Sequence, residues 1–195
     1  MRRDITLYFV RHGETDWNAE RRYQGQMDIP LNDRGKTQAK RNGEILRQTV
    51  PDLSALDLVA SPLGRARETM AIMLGELGVS ADRLRFDDRL RELSYGAWEG
   101  KLESELPQLD PEGIAAREKN RFRWRPPEGE SYADLFERTG DWLNTVERDT
   151  LVASHGGVSR CLRAHVLGFD PELIPTLESP QDRVLVLAGG TMRWL

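Results

Sequence analysis

The sequence predicts an α/β fold: a three-layer sandwich whose central sheet, mostly parallel, is flanked by helices, with a small lid insertion and a C-terminal β-hairpin. Three observations carry that expectation. The apolar runs at residues 5–10, 56–60 and 150–153 are continuous rather than alternating, as in strands buried on both faces of a parallel sheet. Segments of helical periodicity separate them. Near the end, residues 184–187 and 191–195 flank Gly189-Gly190, a two-residue hairpin signal.

Taken in order, residues 5–10 make the first strand and 11–34 a polar loop. From Gly35 to about Thr49, the residues Ala39, Gly43, Leu46 and Val50 recur on one helix face. After the strand at 56–60, Ser61-Pro62 opens a second helix, with the serine as N-cap and the proline in the first turn, where a missing N–H costs nothing. Ala66, Met70, Met73, Leu74 and Leu77 form its inner stripe, and Gly78 ends it. Residues 83–86 suit a third strand. Residues 94–130 lose periodicity and carry prolines, glycines and a basic cluster, which reads as an insertion or lid. Ser131-x-x-Asp134 resembles a capping box, opening a helix with Leu135, Thr139, Trp142, Leu143 and Val146 inward. The strand at 150–153 leads into Ser154-His155-Gly156-Gly157 and a helix that runs to Gly168. No internal repeat appears, so a single domain over 1–195 is expected, with its lid at about 94–130.

The 195 residues are enough for one proper core. No apolar run approaches the ~20 residues of a membrane span. Met1-Arg2-Arg3-Asp4 precedes only a short apolar stretch, too short for a secretory core segment. Cys161 is the sole cysteine, which excludes an intrachain disulfide and fits a reducing, cytoplasmic setting. A net charge of −4 argues against a general nucleic-acid binder. An anionic small molecule, held by a local basic pocket, remains open as a partner.

Of three histidines, His12 and His155 follow predicted strands directly, and each is followed by glycine. In α/β proteins ligands collect outside the carboxyl ends of the strands. Position alone leaves His12 as a nucleophile, a metal ligand or a bystander. Arg11 and Arg65, the latter in the first turn of the second helix, would converge on one phosphate as bidentate clamps. Glu92, after the third strand, suits a general acid beside a bound dianion. A metal site made from His12, His155 and Glu92 is disfavoured: two arginines would repel the cation, and no His-x-His or Asp-x-His pair occurs. Gly35-Lys36-Thr37 copies the end of a nucleotide-binding loop but has Pro30 where the first glycine belongs. Cys161 reads as a buried small residue, His165 as a packed histidine, and Trp17, Tyr95 and Trp98 as loop packing.

The run Arg11-His12-Gly13-Glu14-Thr15-Asp16-Trp17-Asn18 resembles the signature of the histidine phosphatase superfamily, the phosphoglycerate-mutase-like proteins. The likeness continues through Arg22-Tyr23-Gln24-Gly25, Ser61-Pro62-Leu63-Gly64-Arg65, Glu92 to Gly100, Gly129-Glu130-Ser131 and Ser154-His155-Gly156-Gly157, in the family's order. The resemblance implies that His12 is the nucleophile and forms a phosphohistidine. Arg11, Arg65 and His155 would hold the phosphoryl group, Asn18 would add a hydrogen bond, and Glu92 would protonate the leaving oxygen and then activate water. Thr15, Gln24, Gly25 and Gly156 would complete substrate binding, with no metal and no cofactor.

Within the family the expectation is the phosphatase branch, a phosphomonoesterase for small phosphorylated metabolites. Thr15 stands where mutases usually have serine, Arg22-Tyr23-Gln24-Gly25 looks phosphatase-like, and the chain is shorter than typical mutases. A 2,3-bisphosphoglycerate-dependent phosphoglycerate mutase is the alternative, and a non-catalytic phosphate-binding protein comes third. Arg117, Lys119, Arg121, Arg123 and Arg125 crowd the lid with only Glu118 opposing, which suggests selection for a second anionic group on the substrate.

Overall fold

The computed structural model describes residues 4–195. Among these, six strands form one sheet in the order β3-β2-β4-β1-β5-β6. The strands are β1 (Thr6–Arg11), β2 (Asp57–Ala60), β3 (Leu84–Phe86), β4 (Thr150–Ser154), β5 (Val184–Ala188) and β6 (Thr191–Trp194). The first four in sequence are mutually parallel, while β5 pairs antiparallel with β1 and β6 with β5. The expected hairpin is thus present and extends the main sheet past its centre.

Strand alternation divides the core in two. Leu7, Phe9, Val59, Val152, Leu185 and Leu187 face one layer, where α6 (Tyr132–Leu143) and α7 (Gly156–Leu167) contribute Leu135, Trp142, Val158 and Leu162. Tyr8, Val10, Leu58, Leu151, Ala153 and Val186 face the other, against Leu46 of α2 (Asp33–Thr49) and Met70, Met73 and Leu74 of α3 (Gly64–Leu77). Because every second side chain of a strand points to the same face, both faces are apolar and both are covered. Cys161 is buried. His165 stacks on Phe136 at 3.8 Å, and its Nε2 donates to the Phe136 carbonyl. No helix among the described residues is long and apolar enough to cross a membrane.

Two local expectations change. Ser61 does not cap α3; Leu63 occupies the N-cap position and offers no side-chain bond. The Asp28 carboxylate instead accepts from Gly64 N at 2.8 Å, capping the helix from a distant loop and offsetting the Arg65 cation at that positive end. At the other end of the chain, α6 stops at Leu143, so Val146 lies beyond the helix and is half-buried. The segment 94–130, expected to be a lid, holds two short helices, α4 (Leu106–Leu109) and α5 (Pro111–Lys119), separated only by Asp110. Four-residue α1 (Asp16–Ala19) follows β1.

Candidate active site

The parallel register sets β1, β4 and β2 side by side with their carboxyl ends level. Arg11 is opposite Ser154, and Ala153 is opposite Ala60. The next N–H groups continue the ladder: His12 N donates to Ser154 O at 2.8 Å and Ser61 N to Ala153 O at 3.0 Å. His12, His155 and Ser61 therefore stand in one row, and the two imidazole centres are 5.2 Å apart.

His12 Nδ1 lies 2.8 Å from the Gly13 carbonyl. A carbonyl only accepts, so Nδ1 carries the proton and Nε2 keeps its lone pair. Arg65 Nε faces that lone pair at 3.3 Å. Burial first, then Arg65 and Arg11, hold the His12 pKa well below its ordinary value, against the pull of the Gly13 bond. At neutral pH His12 is an uncharged imidazole whose unprotonated Nε2 accepts from Arg65 Nε, and that lone pair is what a nucleophile requires.

Two cations flank it; among the described residues neither is hydrogen-bonded to a carboxylate, and Glu92 favours the charge of both through space. Arg65 is fully buried, and its two terminal nitrogens donate to the carbonyls of Met27 and Gly25, both at 2.7 Å. Gly25 adopts a φ of +53°, a region only glycine enters freely, and so turns that carbonyl inward. Arg11 Nη1 donates to Ser179 O at 2.6 Å. Burial lowers the Arg11 pKa to about 10, which leaves it cationic at neutral pH. A buried charge in this state calls for a counter-ion.

Among the described residues, Arg11 Nε and His155 Nδ1 are buried without hydrogen-bond partners. His155 Nε2 lies 2.7 Å from Ser61 Oγ, a contact in which either group can donate, and Leu63 N donates to the same hydroxyl oxygen at 3.3 Å. Burial, followed by Arg65, keeps His155 uncharged.

Glu92 reaches this group from the segment after β3. Its carboxylate accepts from Leu93 N at 2.9 Å and from Gly157 N, in the first turn of α7, at 3.1 Å. A Cβ at residue 157 would meet the Glu92 carboxylate and Leu135, so any side chain there displaces one or both. Arg138 of α6 holds the segment, donating to the carbonyls of Arg89, Arg91 and Glu92 at 2.7, 2.8 and 3.0 Å while it pairs with Glu130.

These side chains line a cavity of about 150 Å³ that includes Arg11, His12, Asn18, Gln24, Gly25, Arg65, Glu92 and Gly156. His155 stands behind it, fully buried. Thr15 is placed differently from the binding role the resemblance gave it. It is not on the cavity wall; its hydroxyl caps α1 and accepts from Gln24 Nε2 at 2.5 Å. Four more residues complete the wall: Arg22 and Tyr23 of the quoted motif, Tyr95, and Arg160, which sequence reasoning passed over. Tyr95 packs edge-on against Tyr23 at 4.7 Å, as expected of loop packing, and also lines the wall. Arg160 donates to Leu177 O at 2.6 Å and to the Tyr132 hydroxyl at 2.9 Å. Among the described residues, no three His, Cys, Asp or Glu side chains are grouped as a metal ion would need.

The profile of the histidine phosphatase superfamily (branch 1) matches residues 7–194. The chain belongs to that superfamily. It is 35% identical over 171 residues to the probable phosphoglycerate mutase GpmB of Escherichia coli K12, covering 85% of this chain and 76% of the relative. Among solved structures it resembles a mycobacterial glucosyl-3-phosphoglycerate phosphatase, with a TM-score of 0.80 at 29% identity over 98% of this chain and 96% of the other. It also resembles the alpha-ribazole phosphatase of Shigella flexneri, with a TM-score of 0.80 at 27% identity over 93% and 89%. With phosphatases among these relatives, the chain is an enzyme of the histidine phosphatase class, a phosphoric monoester hydrolase.

In this histidine phosphatase the cavity opens into an outer cleft of about 450 Å³, whose wall adds Trp17, Arg21, Glu103, Arg117, Tyr132 and Pro175. The basic cluster is mostly elsewhere. Arg121 pairs with Glu118, Arg123 with Glu172 at 3.7 Å and Arg125 with Asp134 at 2.7 Å, so Glu118 is not the only opposing acid. Of the five, Arg117 alone is on the cleft wall.

Proposed function

We propose that this chain is a metal-independent phosphomonoesterase that passes the phosphoryl group of a small phosphorylated metabolite through His12 to water. One observation carries the reading: the unprotonated His12 Nε2 accepts from Arg65 Nε and stands between that buried arginine and half-buried Arg11, neither of them hydrogen-bonded to a carboxylate among the described residues. Nε2 attacks phosphorus, the bond to the leaving oxygen breaks, and Glu92 supplies that oxygen's proton. In the second step Glu92 takes a proton from water, the water oxygen bonds to phosphorus, and His12 leaves as the neutral imidazole it began as. Arg11, Arg65 and His155 offset the charge on the equatorial oxygens, where most phosphoryl-transfer catalysis resides. The outer cleft includes well-exposed side chains such as Arg21, which favours water as the final acceptor. The lone buried thiol accords with a cytoplasmic setting, and neither nucleic acid nor membrane is proposed as a partner.

A mutase reading has its own support, from the relative named as a probable phosphoglycerate mutase and from the arginines of the outer cleft. A phosphomonoester panel with chelator present separates the two, if it includes 3-phosphoglycerate with and without 2,3-bisphosphoglycerate and reads both free phosphate and isomer. Chelator-resistant phosphate release that disappears in His12→Ala is expected. Isomerisation that depends on the bisphosphate would replace hydrolysis with the mutase reading, and phosphate binding without any turnover would leave a binding protein.

A further inference from the structure

A phosphoryl oxygen needs a donor, and an asparagine amide can present either its oxygen or its NH2. In the site proposed above, Asn18 is useful only if the NH2 faces the cavity. Its Oδ1 is held by two donors: Thr15 N, within the capping box of α1, at 3.2 Å, and Gln181 Nε2 at 3.0 Å. Gln181 comes from the segment between α7 and β5, far away in sequence. The same Gln181 nitrogen donates to the backbone carbonyl of His12 at 3.1 Å. Both hydrogens of one NH2 group thus tie the nucleophile's backbone to the Asn18 amide. Gln181 is itself anchored, because its carbonyl accepts from the buried Asn42 Nδ2 at 3.1 Å. The carbonyls just before it, of Leu177, Glu178 and Ser179, accept from Arg160, Arg163 and Arg11.

We propose that Gln181 is a positioning residue for phosphoryl transfer, locking the Asn18 amide with its NH2 toward the cavity and in register with His12. It touches no reacting atom; its effect is transmitted through Asn18. The inference rests on the phosphate-site reading above but needs only anion binding, so the two can fail separately.

The test is calorimetric titration of inorganic phosphate into the wild-type protein, Gln181→Ala, Gln181→Glu, Asn18→Ala and the Gln181→Ala/Asn18→Ala double variant. Glutamate keeps the size of residue 181 but removes both donors, so it stands in if alanine impairs folding. Each single variant is expected to weaken phosphate by ~10-fold, and the double variant by about the same factor, because both remove one interaction. A double loss equal to the product of the singles, or wild-type affinity in either residue-181 variant, overturns the proposal. Phosphate should also shift the Asn18 side-chain amide resonances in the wild type and leave them unmoved in Gln181→Glu; an equal shift in both proteins has the same adverse weight. Hydrolysis is assayed alongside. Phosphate binding with the expected coupling but no turnover sinks the hydrolase reading alone, and no phosphate binding by the wild type sinks both.

Discussion

The proton on His12 is assigned by one backbone carbonyl, and the charge that would accompany a second proton is opposed by burial and by two arginines. Depression of the pKa means that the neutral form persists below the usual titration range, so slight acidity should not cost the enzyme its nucleophile. Nitrogen-15 NMR of the imidazole at pH 6 should report the neutral Nδ1–H tautomer; an imidazolium spectrum there would remove the basis of the proposed attack. Glu92 carries a different kind of claim, since its part depends on how poor the leaving group is. Glu92→Gln should slow alkyl phosphates by ~10²-fold or more while sparing activated aryl phosphates, which leave without a proton. Equal losses on both substrate types would mean that the carboxyl only shapes the pocket.

The start of α7 brings Glu92 to its station, because the Gly157 N–H binds the carboxylate and the missing side chain leaves room for it. Gly157→Ala should therefore imitate Glu92→Gln in its selectivity, lowering turnover of alkyl phosphates ~10-fold more than that of aryl phosphates. Crowding against Leu135 should also cost ~1–3 kcal/mol of stability. A loss uniform across leaving groups would show that only packing had been disturbed. The lid makes a second claim at this scale. Arg117→Ala should raise KM for substrates with a second anionic group, whereas neutralising Arg121, Arg123 and Arg125, which are paired with acids away from the wall, should not. The elements that carry these groups differ in how plainly the sequence announces them. β1, β4 and α7 were legible because their strands are uninterrupted apolar runs that end in His-Gly, a local pattern. The start of α3 was misread because its cap, Asp28, lies 36 residues upstream and leaves no local trace. Arg160, Arg138 and Gln181 were missed for the same reason. Each acts on carbonyls or amides brought near only by the fold, and helical periodicity alone treats a lone arginine as surface. The short helices of the lid carry too few turns for periodicity to register.

Across the whole molecule, a net acidic chain concentrates buried positive charge at one end of its sheet and keeps all three histidines uncharged. Arrangements that suit a dianion are costly in its absence, so stability and function are coupled through pH. In each histidine burial is the leading cause of the depressed pKa. The unfolded chain takes up protons near pH 6.5 while the folded chain does not. Protons bound in greater number by the unfolded state lower folding stability, so the loss begins near pH 6.5 and grows as pH falls toward the folded values. The partnered carboxylates Asp87 and Asp134, with lowered pKa values, keep their contribution until more acidic pH, so they do not account for a loss in this window. Urea unfolding in phosphate-free buffer should show stability falling by ~1–3 kcal/mol between pH 6.5 and 5.5, the upper figure being about 1 kcal/mol for each histidine, which in the unfolded chain is half protonated at the start of that window. His165 lies away from the cavity between α6 and α7, so His165→Gln should flatten that slope by up to a third without altering phosphate affinity. Added phosphate should raise stability at every pH in the range, by about 2.7 kcal/mol at a hundred times its dissociation constant. A flat profile down to pH 5.5, or an unchanged slope in His165→Gln, would place the acid sensitivity somewhere other than in these buried imidazoles.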